Sequence, residues 1–350
     1  MLCPSFDTPC GGVKQIYRHV DILNRNGFSA FVLHQQQGFR CTWFDNNTRI
    51  AYKSDFRERH WLATPARRLR NSLIAFLAKR TIHEEVRIER MDCLVLPEIA
   101  GPDAVDIEKG TAKVIFNQNA YLTFSGYSFG KEQLRTPYLN KDVMAVMVVS
   151  EDSRSYLKYV FPNLNLVRLH NGIDARFFHY SPIKKKQIAF MPRKLPDQVR
   201  NVVNMLKFRG LLKDFELIAL ENIPEREVAR VLRESLIFLS FSTQEGLGLP
   251  PMEAMACGCI VIGYHGNGGK EYFKEEFCYP TREGDLMAFA SKIEEVIRES
   301  EDDMDVLLQK GKRASEFILG TYSLEREEKE IVKAWQEILS LKNGMVIHGM

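Results

Sequence analysis

STQEGLGLPPMEAMACG, residues Ser242 to Gly258, follows an apolar run, Leu236-Ile-Phe-Leu-Ser-Phe241, that reads as a buried strand. Pro250 and Pro251 suit the first turn of a helix, where a missing N–H costs nothing. Met252-Glu-Ala-Met-Ala-Cys257 is good helix sequence, and Gly258 can end it. The stretch therefore reads as strand, glycine-punctuated loop and helix, with Glu245 in the loop and Glu253 on the first turns of the helix. Gly246 and Gly248 let backbone N–H groups approach a ligand closely. Bare amides and a helix N-terminus suit phosphate, while carboxylates suit hydroxyls, so the whole constellation fits a phosphorylated sugar. Either glycine alone would be an ordinary turn.

On both sides of this stretch the chain alternates strand and helix. The N-terminal segment Met1-Leu-Cys-Pro-Ser-Phe6 reads as the tail of a strand, followed by a loop that ends in Gly11-Gly12. Val13, Ile16, Tyr17, Val20 and Leu23 recur at helical spacing as far as Asn26-Gly27, and Phe28 to His34 reads as a strand. Trp43, Ile50 and Tyr52 suggest one more. Further strands are expected at Asp92–Pro97, Ala112–Phe116, Val143–Val149 and Leu166–His170, with a helix capped by Ser150. After the turn Asn171-Gly-Ile-Asp174 the alternation restarts, with strands at Gln187–Met191, Phe215–Leu220, Leu236–Phe241 and Cys259–Ile262. Helices are expected at Asp197–Phe208, Pro224–Arg233, Asp285–Ser300 and Asp303–Gly320, and a long amphipathic helix at Ser323–Leu341. Short apolar strands between helices argue parallel sheets buried on both faces, which bind ligands at the strands' carboxyl ends.

Composition narrows the function classes. A net charge of +3 over 350 residues gives no electrostatic argument for nucleic acid. No apolar run reaches membrane-span length and no signal-peptide pattern opens the chain, so a cytoplasmic protein is expected. The seven cysteines are odd in number and scattered through apolar segments, as reduced thiols in a reducing compartment would be. From Arg57 to Arg90 the sequence is basic with interspersed apolar residues. It fits a solvated outer helix or one lying peripherally on the inner face of a membrane. Asp303-Met-Asp305 has the spacing of a metal-binding pair but opens a helix, where acidic residues favour the dipole, so no metal is expected.

Glu245-Gly-Leu-Gly-Leu-Pro-Pro-Met-Glu253 resembles the E-x7-E signature of the retaining nucleotide-sugar glycosyltransferases of family 4. Gly11-Gly12, His170-Asn-Gly-Ile-Asp174, Met191-Pro-Arg-Lys194 and Gly268-Gly-Lys-Glu271 agree with that family in order. The resemblance implies an α/β chain of the GT-B fold, with two Rossmann-like domains facing across a cleft. Residues 1–168 would form the acceptor domain, completed by a C-terminal helix at 323–341 that crosses back, and 169–322 the donor domain. It also implies sugar transfer with retention from a nucleotide-diphosphate sugar to a carbohydrate or lipid-linked acceptor hydroxyl. Neither a cofactor nor a divalent metal is implied, and oligomeric state stays open.

By position in these motifs, Arg193 is the first choice for the cation on the donor diphosphate and Lys194 the second. Arginine grips phosphate oxygens bidentately, and fixed positive charge lowers the barrier as the leaving group gathers charge. Gly246, Leu247, Gly248 and Leu249, with Gly11 and Gly12, would hold phosphate and sugar. Glu253 would accept from ribose hydroxyls, and Glu245 would face the donor sugar. The proton of the acceptor would pass to a donor phosphate oxygen in a same-face substitution. Many relatives carry a histidine where this chain reads Ile115-Phe-Asn-Gln-Asn-Ala-Tyr121, so Asn117, Gln118 or Asn119 is the candidate replacement. A hydrolase carboxylate pair would leave the basic and glycine-rich segments unexplained. A non-catalytic sugar-nucleotide-binding subunit and a GT-B nucleotide-sugar epimerase are the alternatives.

Overall fold

The computed structural model describes residues 1–5, 9–54, 85–130 and 135–348, with side chains described as far as Lys342. The chain separates into two compact units: Met1–Val149 with Ser153–Leu169 and Glu328–Met350, and Ser150–Asp152 with His170–Glu327. Most of the basic stretch, 57–84, lies outside the described residues. Among the described residues no helix is long and apolar enough to cross a membrane.

In the first unit, α1 (Gly11–Arg25) buries Val13, Ile16, Tyr17, Val20 and Leu23, the residues whose spacing marks its inner face. The strands β1 (Val32–His34) and β2 (Ile50–Tyr52) pair in parallel, as do β3 (Cys93–Pro97), β4 (Ala112–Asn117), β5 (Val143–Val148) and β6 (Leu166–Arg168), in that order. Met1 to Cys3 joins the two groups. Leu2 N–H donates to Val95 (2.9 Å), Cys3 N–H to Leu33 (3.0 Å) and Leu33 N–H to Met1 (2.7 Å). A stub of three residues thus fills the central position between β1 and β3, so neither faces the other as an unpaired edge. The helix α2 (Glu151–Val160) follows β5.

The second unit holds one parallel sheet of order β11-β10-β9-β7-β8. Its strands are β7 (Lys185–Phe190), β8 (Glu216–Ala219), β9 (Ser235–Glu245), β10 (Ile260–Asn267) and β11 (Tyr279–Pro280). Between them lie α3 (Pro196–Phe208), α4 (Glu225–Glu234) and α5 (Leu249–Ala256); α6 (Leu286–Asp302) and α7 (Met304–Thr321) follow the sheet. Ile188, Ile237, Leu239, Ile260 and Ile262 form the core with Val202 and Leu206 of α3 and Phe289, Ile293 and Val296 of α6.

Several elements differ from expectation. Only the end of the Phe28–His34 stretch is strand, and Trp43 is not in one; its ring meets Phe44 edge-on at 4.6 Å. β9 and β10 run on past Phe241 and Ile262, because their ladder continues to the pair Asn267–Glu245 after an irregularity beyond His265. Glu245 is therefore the last residue of a strand and not a loop residue. The final helix, α8 (Leu324–His348), outruns its predicted end.

Within the first unit α8 is fixed by a buried polar contact. Trp335 Nε1 donates to His19 Nε2 on α1 at 2.7 Å, and both side chains are buried. Burial pushes the His19 pKa down to about 3, so the ring stays neutral and keeps a lone pair for the indole. Trp335→Phe removes the donor and leaves a buried acceptor unpaired. It should cost about 1–3 kcal/mol in urea unfolding, whereas an unchanged midpoint would mean that the contact contributes nothing.

Candidate functional site

The strand order places a topological switch in the second sheet between β7 and β9. β7 is followed by a crossover to β8 on one side, and the next crossover returns to β9 on the other. The loops leaving the carboxyl ends at such a point diverge and leave a ligand crevice. Met191-Pro-Arg193-Lys194 leaves β7 and reaches α3 through Leu195, at φ 48°. Glu245 to Gly248 leaves β9 and enters α5 through Gly248, at φ 84°, which serves as its N-cap. A side chain at Gly248 would be strained, and its Cβ would sit 3.0 Å from the Tyr272 hydroxyl.

The two loops meet through charge. Lys194 Nζ lies 2.8 Å from Glu245 Oε1, with the lysine side chain 43% and the glutamate 23% exposed. Lys194, the second choice by motif position, is joined to Glu245. Arg193 is exposed beside it. Gly246, Leu247 and Gly248 are buried, Leu249 opens α5, and Glu253 is half-buried in the second turn of that helix.

A neighbouring turn holds this loop from below. After β10 the chain forms a short 3-10 turn, Gly268–Glu271, and a Cβ on Gly268 would lie 2.1 Å from the Gly246 carbonyl oxygen and 2.6 Å from that of Glu245. Tyr272 is fully buried, and its hydroxyl lies 2.6 Å from the Gly248 carbonyl and 3.1 Å from that of Leu247. Sequence reasoning found the glycines but missed Tyr272. No local pattern marks a tyrosine whose partners lie 24 and 25 residues earlier.

The first unit has its own switch, between the Met1–Cys3 stub and β3. Gly11 and Gly12 open α1, whose first turn carries no acidic side chain. Gln118, after β4, donates from Nε2 to the Gly12 carbonyl at 3.0 Å. Asn119 Oδ1 accepts from Tyr121 N–H at 3.0 Å, which caps the turn Ala120–Leu122. Asn117 requires correction as a donor contact. It is fully buried, and its Nδ2 donates to Thr123 Oγ1 (3.0 Å) and the Tyr138 hydroxyl (2.8 Å), so it ties β4 to the interior. Gln118 is the residue of the three that meets the glycine turn.

Glu98 was not singled out, although an acidic residue directly after Leu94-Val-Leu-Pro97 stands at a strand's carboxyl end and is visible in the sequence. It is buried, 8% exposed, and burial raises its pKa from 4.5 to about 7 despite hydrogen bonds from its own N–H and that of Gln118. The folded carboxyl keeps its proton up to about pH 7, while the unfolded one ionises near 4.5, so this group's contribution to stability declines as pH rises through that window. Glu98→Gln should match wild type near pH 4.5 and exceed it by about 1–3 kcal/mol near pH 8. Urea titrations at the two pH values test this, and equal differences at both would refute it.

The contact at Gly268 gives a second test. Its neighbours are backbone atoms that cannot rotate away, so Gly268→Ala must push the 3-10 turn from the Glu245–Gly246 segment. A cost of about 1–3 kcal/mol is expected from overpacking, read as a lowered melting temperature. A variant as stable as wild type would show that the two segments part easily.

Residues 200–313 match the family model Glycosyl transferases group 1. A curated relative, the alpha-1,6-glucosyltransferase of Actinobacillus pleuropneumoniae serotype 7 (strain AP76), is 26% identical over 270 residues, covering 71% of this chain and 77% of that protein. Among solved structures, sucrose-phosphate synthase from Thermosynechococcus elongatus superposes with a TM-score of 0.66 at 12% identity, over 97% of this chain and 99% of that one. Anabaena HepE, in complex with UDP and glucose, gives 0.61 at 12% identity, over 96% and 99%. At such identities the structural likenesses show the fold alone. The chain has an α/β GT-B fold, and the match to the glycosyl transferases group 1 model falls within its second unit.

Proposed function

We propose that this protein is a retaining glucosyltransferase that uses UDP-glucose and delivers the sugar to a hydroxyl of a carbohydrate acceptor, without a divalent metal. The observation that carries the reading is the Lys194–Glu245 pair at the switch point of the second sheet, beside the N-terminus of α5. The glycosyl transferases group 1 match supports sugar transfer. The names of the relatives support the donor: one is an alpha-1,6-glucosyltransferase, and another is seen with UDP and glucose.

In this reading the diphosphate lies over the Gly246–Leu249 segment and between the cations Lys194 and Arg193. The bond between the anomeric carbon and the phosphate oxygen breaks as the acceptor oxygen attacks from the same face. The acceptor's proton goes to that phosphate oxygen, and UDP leaves with the bonding electron pair. Negative charge grows on the diphosphate in the transition state, so a cation held in place beforehand lowers the barrier without having to reorganise. Glu245 keeps the Lys194 ammonium at the crevice before the donor arrives, and faces the donor sugar. Glu253 accepts from the ribose hydroxyls; each such charged hydrogen bond is worth about 1.5–3 kcal/mol.

The test combines a thermal-shift screen of UDP-, GDP-, ADP- and dTDP-sugars with turnover of the best binder, since a tight ligand raises the melting temperature by mass action. UDP-glucose should give the largest shift, and the product should keep the α configuration by NMR. Lys194→Met should lower kcat about 100-fold, the scale seen on removing one preorganised charge-stabilising group. Wild type that binds a donor but never transfers or hydrolyses it would point instead to a binding subunit, and an inverted product would remove retention.

A further inference from the structure

Tyr272 stands just beyond the 3-10 turn and outside every motif considered above. Its hydroxyl is enclosed by glycine backbone: a Cβ at Gly248 or at Gly269 would lie 3.0 Å from it. It donates towards the carbonyl oxygens of Gly248 (2.6 Å) and Leu247 (3.1 Å). No cis peptide bond occurs among the described residues, and in a trans peptide the N–H points opposite to the C=O of the same plane. Drawing the carbonyls of Leu247 and Gly248 towards Tyr272 therefore turns the N–H groups of Gly248 and Leu249 the other way. These are the amides at the N-terminus of α5, where a helix offers its positive end to an anion.

The tyrosine is itself held. Its ring packs edge-on against Tyr322, with centroids 6.1 Å apart and planes at 82°. The Tyr322 hydroxyl donates to Glu271 Oε1 at 2.9 Å, and Glu271 Oε2 accepts from the Glu151 N–H at the start of α2, also at 2.9 Å. All of these contacts lie within the second unit. Glu271 thus accepts a hydrogen bond on either oxygen and joins the turn that carries Tyr272 to two other segments. Burial, with Tyr322 and the carboxylates of Glu245 and Glu271 nearby, holds the Tyr272 hydroxyl well above its ordinary pKa, so it remains a donor across the working pH range.

We propose that Tyr272 is a positioning residue for the donor: through the carbonyls of Leu247 and Gly248 it aims the Gly248 and Leu249 amides at the diphosphate's leaving end. Tyr322 and Glu271 brace it there. The proposal rests on the donor reading above and adds to it a residue that never touches the donor. It also separates two parts of the site. Glu253, on the second turn of α5, serves the ribose, whereas the Tyr272 clamp serves the outer phosphate and sugar.

Tyr272→Phe deletes one oxygen atom. In calorimetric titrations, UDP-glucose should bind the variant at least tenfold more weakly than wild type. UMP, which lacks the outer phosphate and the sugar, should bind within about twofold. Glu271→Ala removes the acceptors of both the Tyr322 hydroxyl and the Glu151 N–H, and it should lose about threefold on UDP-glucose alone. Hydrogen exchange on the ligand-free proteins provides a readout independent of any donor: amides 246–249 should exchange about tenfold faster in Tyr272→Phe, with 236–241 of β9 unchanged. UDP-glucose affinity within twofold of wild type, or an equal loss for UMP and UDP-glucose, overturns the proposal. If wild type binds no nucleotide, the donor reading falls by itself. The exchange result then decides whether Tyr272 positions the loop, and unaltered rates at 246–249 reject it.

Discussion

The shape of the loop after β9 depends on the approach of two backbone segments, Gly268 on one and the carbonyl of Gly246 on the other. The gap is too small for a Cβ, so glycine is required by packing before any ligand is considered. That closeness lets a single turn after β10 set the shape of the loop after β9, and it brings Tyr272 under the carbonyls of Leu247 and Gly248. Unusual backbone angles collect here: Leu195, Gln244 and Asn267 all have positive φ without being glycine. Such conformations cost on the order of 1–3 kcal/mol each and persist where surrounding structure holds them. The long β9–β10 ladder, ending in the pair Asn267–Glu245, is the structure that does so.

Charge has a different part. Lys194 and Glu245 are both partly exposed, and an ion pair of that kind contributes about 0–1 kcal/mol to folding. The pair does little for stability, so its value lies in placement. It keeps a cation at the switch point between β7 and β9. A buried pair in the same position would resist exchange of partners, because both charges would need compensation throughout. Partial exposure lets the lysine change partners at small cost.

The fold was legible wherever period and punctuation agreed. Val13, Ile16, Tyr17, Val20 and Leu23 described α1, and Pro250, Pro251 and Gly258 described α5, because helix spacing and end signals are local properties. The reach of β9 to Glu245 was not legible. Ser242 to Gln244 are polar, and only pairing with β10 keeps them in a strand. Asn117 was misread for a related reason: its distance from Gly12 in sequence says nothing about which face of β4 it occupies, and it faces inward to Thr123 and Tyr138. Gln118, one residue on, faces the glycine turn, as alternation along a strand end requires. Glu98 could have been found by treating every acidic residue at a strand's carboxyl end as a candidate, whereas Tyr272 could not.

The two sheets follow one topological rule and use it with opposite chemistry. Each has a switch, and each carries a glutamate at or just after the carboxyl end of a strand beside it. In the second unit the carboxylate, Glu245, is paired with a lysine and partly solvated. In the first, Glu98 is buried and holds its proton up to about pH 7, with backbone N–H groups as its partners. A neutral acid can donate a hydrogen bond as well as accept one. Ionisation of Glu98 would also place an uncompensated charge beside the backbone N–H of Gln118, whose side-chain amide holds the Gly12 carbonyl. The glycine turns could be read from the sequence in both units. The charge state beside each one follows from burial, and burial is decided by the sheet that assembles around it.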